Sequence, residues 1–226
     1  MRKLVTNTFV TLDGVMQAPG GPEEDPTGGF AYGGWSVSYW DDRMAGVIQE
    51  RLARPFDLLL GRKTYEIFAA HWPFVKDDPT ADALNAARKY VASRTLQRVD
   101  WHNSTVIRDL PRSVADLKAE DGPEIQVHGS PGLIQSLLRN DLIDELRLWT
   151  FPLVLGSGKR LFGDGTLPRN LQLADQWISS TGVAVTTYQV AGPIRPGTLD
   201  DSPILERFAL EAPTESELAR RQRLER

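Results

Sequence analysis

Through its first 140 residues the chain repeats one pattern: a short apolar run stops abruptly, and a helical spacing follows. Nothing else in the sequence limits the fold as tightly. Residues 3–10 are β-branched and aromatic and read as a strand. Asp57 to Leu60 read as a buried strand stopped by Gly61, and Arg62 to Ala70 as a helix. The pattern continues with a helix over Thr80 to Lys89, a strand over Tyr90 to Ala92 that ends at Ser93-Arg94, and a strand over Ser104 to Ile107. A helix over Pro111 to Ala119, a strand over Glu124 to His128 and a helix over Pro131 to Arg139 complete it. Strands then dominate: Leu142 to Leu155, a weaker Gln172 to Ser179, and Val183 to Val190. This order predicts an α/β fold whose largely parallel sheet has helices on both faces and an antiparallel addition at its C-terminal edge.

Two segments fall outside the pattern. From Gly14 to Gly34, ten of 21 positions are glycine or proline, so no regular element is expected there. A loop this long in a compact domain is usually functional or disordered. Ser38 is placed to cap a helix in which Trp40, Met44, Val47, Ile48 and Leu52 recur at helical spacing until Pro55. After residue 190, Pro193, Pro196, Gly197 and Pro203 make a linker, and residues 204–226 read as a frayed helix or as an arm on a partner. The division is one domain over 1–190 and a polar extension over 191–226.

Composition removes whole classes of function. With 26 basic and 30 acidic residues the formal charge is −4, against the basic surplus of a sequence-independent nucleic-acid binder. The absence of cysteine excludes disulfides, thiolate metal sites and cysteine nucleophiles. No apolar run approaches the roughly 18–20 residues of a membrane span, and the start carries no signal-peptide core. A cytoplasmic protein is the expectation. His71, His102 and His128 are not spaced as metal ligands, and no G-x-S-x-G turn is present. Gly156-Ser157-Gly158-Lys159-Arg160 fails both as a Walker loop, because Arg160 follows Lys159, and as a dinucleotide fingerprint, because Leu161 takes the third glycine position.

What remains is three strand ends followed by anion-friendly residues. At Gly61-Arg62-Lys63-Thr64 a strand turns into a helix whose first turn carries two cations and a hydroxyl. Cations there oppose the helix dipole unless an anion lies nearby. A solvated basic turn would read the same way. Ser93-Arg94 offers a hydroxyl and a guanidinium, a weak signal alone. At His128-Gly129-Ser130-Pro131, Gly129 allows close backbone approach and the helix after it opens toward a ligand, as a diphosphate cradle would; an ordinary capped helix competes. In an α/β sheet all three lie at the carboxyl ends of strands, where ligands bind.

In this order the turns resemble the dihydrofolate reductase fold family, and more closely the reductase domain at the C-terminus of the bifunctional riboflavin-biosynthesis deaminase-reductase and its stand-alone relatives. Thr11-Leu12-Asp13-Gly14, Leu60 to Glu66, Ser93-Arg94, Val127 to Gly132, Leu142 to Leu146 and Pro152 to Gly158 carry the resemblance, which covers about residues 1–190. It implies a three-layer dihydrofolate reductase-like fold and NADPH as cofactor. Arg62, Lys63 and Thr64, beginning at Gly61, would face the adenosine 2′-phosphate and diphosphate, with Ser93 and Arg94 on the 2′-phosphate and Gly129 and Ser130 on the diphosphate. Thr11 to Met16 would border the nicotinamide, and the 17–37 loop would act as a lid.

The chain also departs from the family. It has His128-Gly129-Ser130 where the riboflavin-pathway reductases usually show Glu-Gly-Gly, and the cysteines of the zinc deaminase half do not exist here. Asp41 and Asp42 lie on the helix that carries the acid of dihydrofolate reductase, and are candidates for a catalytic role or for plain helix stabilisation. Asp13 is a candidate substrate contact or turn anchor. Trp35, Tyr39 and Trp40 are candidate stacking platforms or core.

The expected activity is NADPH-dependent reduction of a small pyrimidine or pteridine. The alternatives are reduction of 5-amino-6-(5-phosphoribosylamino)uracil, with Arg43, Lys159 or Arg160 on its phosphate, and a non-catalytic NADP-binding protein. A small heterocycle is the expected partner, with neither nucleic acid nor membrane, and a homodimer joined along residues 146–155 is the expected assembly.

Overall fold

Strand β1, Leu4–Thr11, runs through the middle of an eight-stranded sheet because both of its faces are covered. The computed structural model describes residues 1–197 together with Asp201, Ser216, Arg220 and Arg223. The expected character of the 204–226 stretch therefore concerns residues almost all outside those described. Met1–Gly192 forms one compact unit and Pro193–Arg226 a second.

In the first unit β1 is followed by α1 (Asp42–Leu52), β2 (Phe56–Gly61), α2 (Arg62–Ala69), α3 (Pro79–Ala86), β3 (Lys89–Ala92) and β4 (Ser104–Ile107). Then come α4 (Leu110–Ala119), β5 (Glu124–His128), α5 (Pro131–Arg139), β6 (Glu145–Phe151), β7 (Leu171–Ile178) and β8 (Ala184–Val190). The strand order is β4-β3-β2-β5-β1-β6-β8-β7. Strands β1 to β6 pair in parallel; β8 joins β6, and β7 joins β8, antiparallel.

Alternation within β2 divides the core into two layers. Leu59 faces α4 and α5, whose Val114, Leu117, Leu133, Ile134, Leu137 and Leu138 are buried with it. Each such side chain contributes about 1.5–3 kcal/mol. Leu58 and Leu60 face the other way, onto Tyr65 of α2 and Leu84 of α3. On that same side α1 buries Met44 against Trp149, Phe151 and Val185. Helices α1 and α3 touch, and α2 packs on β2 and β3.

Three sequence expectations are corrected. The helix does not start at Ser38, which lies in a 3-10 turn over Val37–Tyr39, but after Asp41, whose carboxylate accepts from Met44 N at 2.8 Å. The helix expected to reach Lys89 stops at Ala86. Lys89 instead opens β3 fully buried, its ammonium donating to the carbonyls of Asn85, Ala87 and His102 at 2.8–3.1 Å and lying 4.3 Å over the Trp101 ring. The long strand expected over 142–155 is β6 alone, and it is no edge: β1 and β8 flank it, so β4 and β7 are the edges.

The glycine-rich loop has no regular element beyond short turns, yet it is held by its own hydrogen bonds. The Gln17 amide donates to the carbonyls of Asp25 and Thr27 at 2.9 Å and accepts from Lys159 N at 3.0 Å. The Gln17 carbonyl accepts from the Trp35 indole at 2.7 Å. Phe30 and Trp35 are buried in the α1 cluster. Gly33 is obligatory, since a Cβ there would lie 2.5 Å from the Pro22 carbonyl oxygen.

Candidate functional site

Three chain turns meet at the carboxyl edge of β3, β2 and β5, which are neighbours in the sheet. The Ser130 hydroxyl joins the first and third: it accepts from Gly61 N at 3.1 Å and lies 2.5 Å from the Thr64 hydroxyl. The contact is close enough that a Cβ at Gly61 would fall 2.4 Å from Ser130 Oγ. Gly129 and Ser130 take left-handed backbone, φ +76° and +63°, a cost that a non-glycine residue bears only where its surroundings impose it. The first and second turns are joined by Arg62, which donates to Thr95 Oγ1 at 2.9 Å and to Glu66 at 2.7 Å. Ser93 Oγ accepts from Thr95 N and Leu96 N, so its lone pairs are used within the turn and its O–H is not engaged by these bonds.

The corner is basic and underused. Neither α2 nor α5 has a side-chain cap or an acid in its first turn, so their leading N–H groups have no side-chain partner. The exposed cations Lys63 and Arg94 donate no side-chain hydrogen bond and form no ion pair among the described residues. Gly61, Arg62, Lys63, Thr64, Ser93, Arg94, Gly129 and Ser130 thus share one edge, with unsatisfied donors and positive charge concentrated there.

The other sequence candidates are distributed differently. Asp41 spends both carboxylate oxygens on the chain itself, accepting from Met44 N and from the Ser180 N–H and hydroxyl at 2.7–2.8 Å. The Met44 N–H and the Ser180 hydroxyl hold it below the usual carboxylate range, which suits a cap better than a proton donor. Asp42 is exposed on the next position. Asp13 clasps two loops: it accepts from Thr11 Oγ1 at 2.6 Å and from Gly156 N at 2.8 Å, and the Thr11 hydroxyl leads in lowering it to about 2. Trp35 is core, edge-on to Phe151. Tyr39 is half-buried against the same ring, and Trp40 stacks on Trp149.

The three cations available for a substrate phosphate do not converge. Arg43 lies over the Trp177 ring, Lys159 pairs with Asp25, and Arg160 reaches Asp13 and the Gly156 carbonyl.

The sequence reading missed a polar face of the sheet beside α2, where His128 lies against Phe68. There β5 presents Glu124, Gln126 and His128 on one face, joined to Asn7 of β1 and Arg147 of β6. The signal was visible, because polar residues at period two in a central parallel strand, normally apolar on both faces, are out of place.

Comparison with solved structures gives the class. A protein provisionally named for riboflavin biosynthesis, from Shewanella sp. PV-4, superposes with a TM-score of 0.59 at 23% identity, over 84% of this chain and 99% of the other. A pyrimidine reductase-like protein from Corynebacterium diphtheriae gives 0.56 at 15% identity, covering 86% and 93%. Dihydrofolate reductase from Enterococcus faecalis, complexed with NADP(H), gives 0.52 at 14% identity, covering 84% and 96%. The fold is therefore dihydrofolate reductase-like. At the level of sequence, residues 2–185 match the model of the RibD C-terminal domain, and the chain belongs to that family. Two uncharacterised Bacillus subtilis proteins are similar to it: YyaP, 28% identical over 84% of this chain and 96% of its own length, and YwjB, 32% identical over 51% and 63%.

Proposed function

We propose that the chain is an NADPH-dependent reductase of a small pyrimidine or pteridine heterocycle. The observation that carries this reading is the shared corner, where two uncapped helix starts, the hydroxyls of Thr64, Ser93 and Ser130, and two cations with no ion pair among the described residues sit on one edge of a dihydrofolate reductase-like sheet. That donor set fits a dinucleotide bearing an extra phosphate. Arg62, Lys63, Ser93 and Arg94 hold the 2′-phosphate, and the N–H groups at the start of α5 hold the diphosphate beside Gly129 and Ser130. A 2′-phosphate is an isolated dianion, so paired cations prefer it to a bare ribose hydroxyl.

NADPH supplies the hydride when bound. The chain supplies position and polarity: the turn over Thr11 to Met16, fixed by Asp13, would border the nicotinamide. Asp41 sets the start of α1, and Asp42 is the carboxyl left to deliver a proton, directly or through water. Family membership favours a second reading, reduction of the phosphoribosylamino-uracil. It needs a substrate phosphate site from cations other than Arg43, Lys159 and Arg160 in their present pairings.

Fluorescence titration with NADPH and NADH tests the cofactor reading. Tight NADPH and weak NADH binding is expected, and binding of neither overturns it. Loss of nicotinamide absorbance across a panel of pyrimidines and pteridines then identifies the substrate, and Asp42→Asn is expected to slow that loss without weakening NADPH.

A further inference from the structure

A fourth strand end adjoins the basic corner, that of β4 beside β3. The register sets Ala92 opposite Ile107, so Arg108, the residue after β4, emerges beside Ser93. There its guanidinium closes on the backbone of the second turn. Nη1 donates to the Arg94 carbonyl at 2.9 Å and Nη2 to the Leu96 carbonyl at 3.1 Å. Both tips of one planar fork are used, a grip that lysine cannot reproduce.

Little else defines that turn, since no helix or strand covers residues 93–103. Ser93 N donates to the Ile107 carbonyl at 3.1 Å, and Ser93 Oγ takes the N–H groups of Thr95 and Leu96. Those bonds occupy the donors of the turn, while Arg108 occupies the carbonyls of Arg94 and Leu96. From the opposite side Arg62 of α2 donates to Thr95 Oγ1 at 2.9 Å. The turn thus hangs between two guanidinium groups, one on each neighbouring element.

The clasp is electrostatic as well as mechanical. Carbonyl oxygens left open beside an anion site would repel the anion, and here they face positive charge instead. Arg108 is exposed and pairs with no carboxylate among the described residues, so its charge stays uncancelled.

On the reductase reading proposed above, we infer that Arg108 is a positioning residue for the 2′-phosphate. By fastening the Arg94 and Leu96 carbonyls it presents Ser93 and Arg94 to that group, and so sets the preference for NADPH over NADH. The diphosphate belongs to the start of α5, at the other end of the strand order, so NADH does not draw on the clasp.

Fluorescence titration of NADPH and NADH against the wild type, Arg108→Gln, Arg94→Gln and the double variant tests this. Arg108→Gln is expected to weaken NADPH about tenfold, near the worth of one solvent-screened charged hydrogen bond, and NADH less than about twofold. Equal loosening of both cofactors would make Arg108 part of the scaffold only, and unchanged NADPH would leave it no role; either overturns the inference. Because Arg108 acts through the turn, the double variant is expected to lose little more than Arg94→Gln alone, and losses that multiply overturn it. Arg108→Lys keeps the charge without the fork and is expected to lose most of what Arg108→Gln loses; full NADPH affinity there would reduce Arg108 to a diffuse charge.

If the wild type binds neither cofactor, the reductase reading itself fails. If the wild type prefers NADPH and the variants depart from these outcomes, the role of Arg108 fails and the reductase stands. Nitrogen NMR on ¹⁵N-arginine-labelled wild type needs no variant: a slowly rotating Arg108 guanidinium is expected with and without NADP⁺, and free rotation in both overturns the clasp.

Discussion

Helix starts along one edge of this sheet treat their free N–H groups in opposite ways. At α1, Asp41 supplies a cap and Ser180 closes over the second carboxylate oxygen, so charge and donors cancel within the protein. At α2 and α5 no side chain caps, no acid enters the first turn, and Arg62, Lys63 and Arg94 add positive charge. A start that satisfies itself is architecture. A start that leaves its donors open and gathers cations keeps a standing electrostatic cost that a bound anion removes. On the reading proposed above, the difference puts the dinucleotide at the α2–α5 corner and leaves the α1 start to the architecture.

The largest effect should come from removing the cations. Arg62→Ala with Lys63→Ala is expected to weaken NADPH by on the order of 30- to 100-fold, from two solvent-screened charged hydrogen bonds, with NADH changed little. Equal losses for both cofactors would erase the contrast between the two helix starts. Ser130→Ala breaks the joint between the corners. It should cost about 1–3 kcal/mol in urea unfolding by stranding the Gly61 N–H, and should weaken NADPH and NADH alike, since the diphosphate is common to both. Asp41→Ala probes the other side: the melting temperature should fall through loss of the cap, while NADPH affinity holds. A large loss of affinity would mean that the α1 start also serves the cofactor.

The smallest effect lies in acid. His128 has a folded pKa of about 4 against 6.5 unfolded, so the folded protein binds fewer protons between those values. Its contribution to stability is complete above pH 6.5 and drains away as pH falls toward 4. His128→Phe should therefore show a shallower loss of melting temperature over that window than the wild type, with Glu124 and Arg147 still in place.

Much of this was legible along the chain, for local reasons. Glu124–His128 matches its expected limits because Gly122-Pro123 and Gly129-Ser130 punctuate it on both sides, and Pro131–Arg139 starts where that second turn ends. The corner was legible because a cation in a first helical turn breaks a local rule. The start of α1 was not: Ser38 and Asp41 are both capable caps, and the choice is made by Ser180, which is 139 residues away in sequence. The limits of β6 and the burial of Lys89 were hidden for the same reason, since neighbouring strands and distant carbonyls decide them. The β5 relay stayed hidden because His128 was weighed as a metal ligand and not as one step in an alternating polar face.

The bonds radiating from Gln17 also bear on how the molecule survives outside the reductase question. A segment so rich in glycine and proline advertises itself as a cutting site for proteases, which take slack, exposed chain. Here the slack has been taken up at Asp25, Thr27, Trp35 and Lys159. Brief digestion should spare residues 17–36 in the native protein and cut there once Gln17→Ala releases the knot.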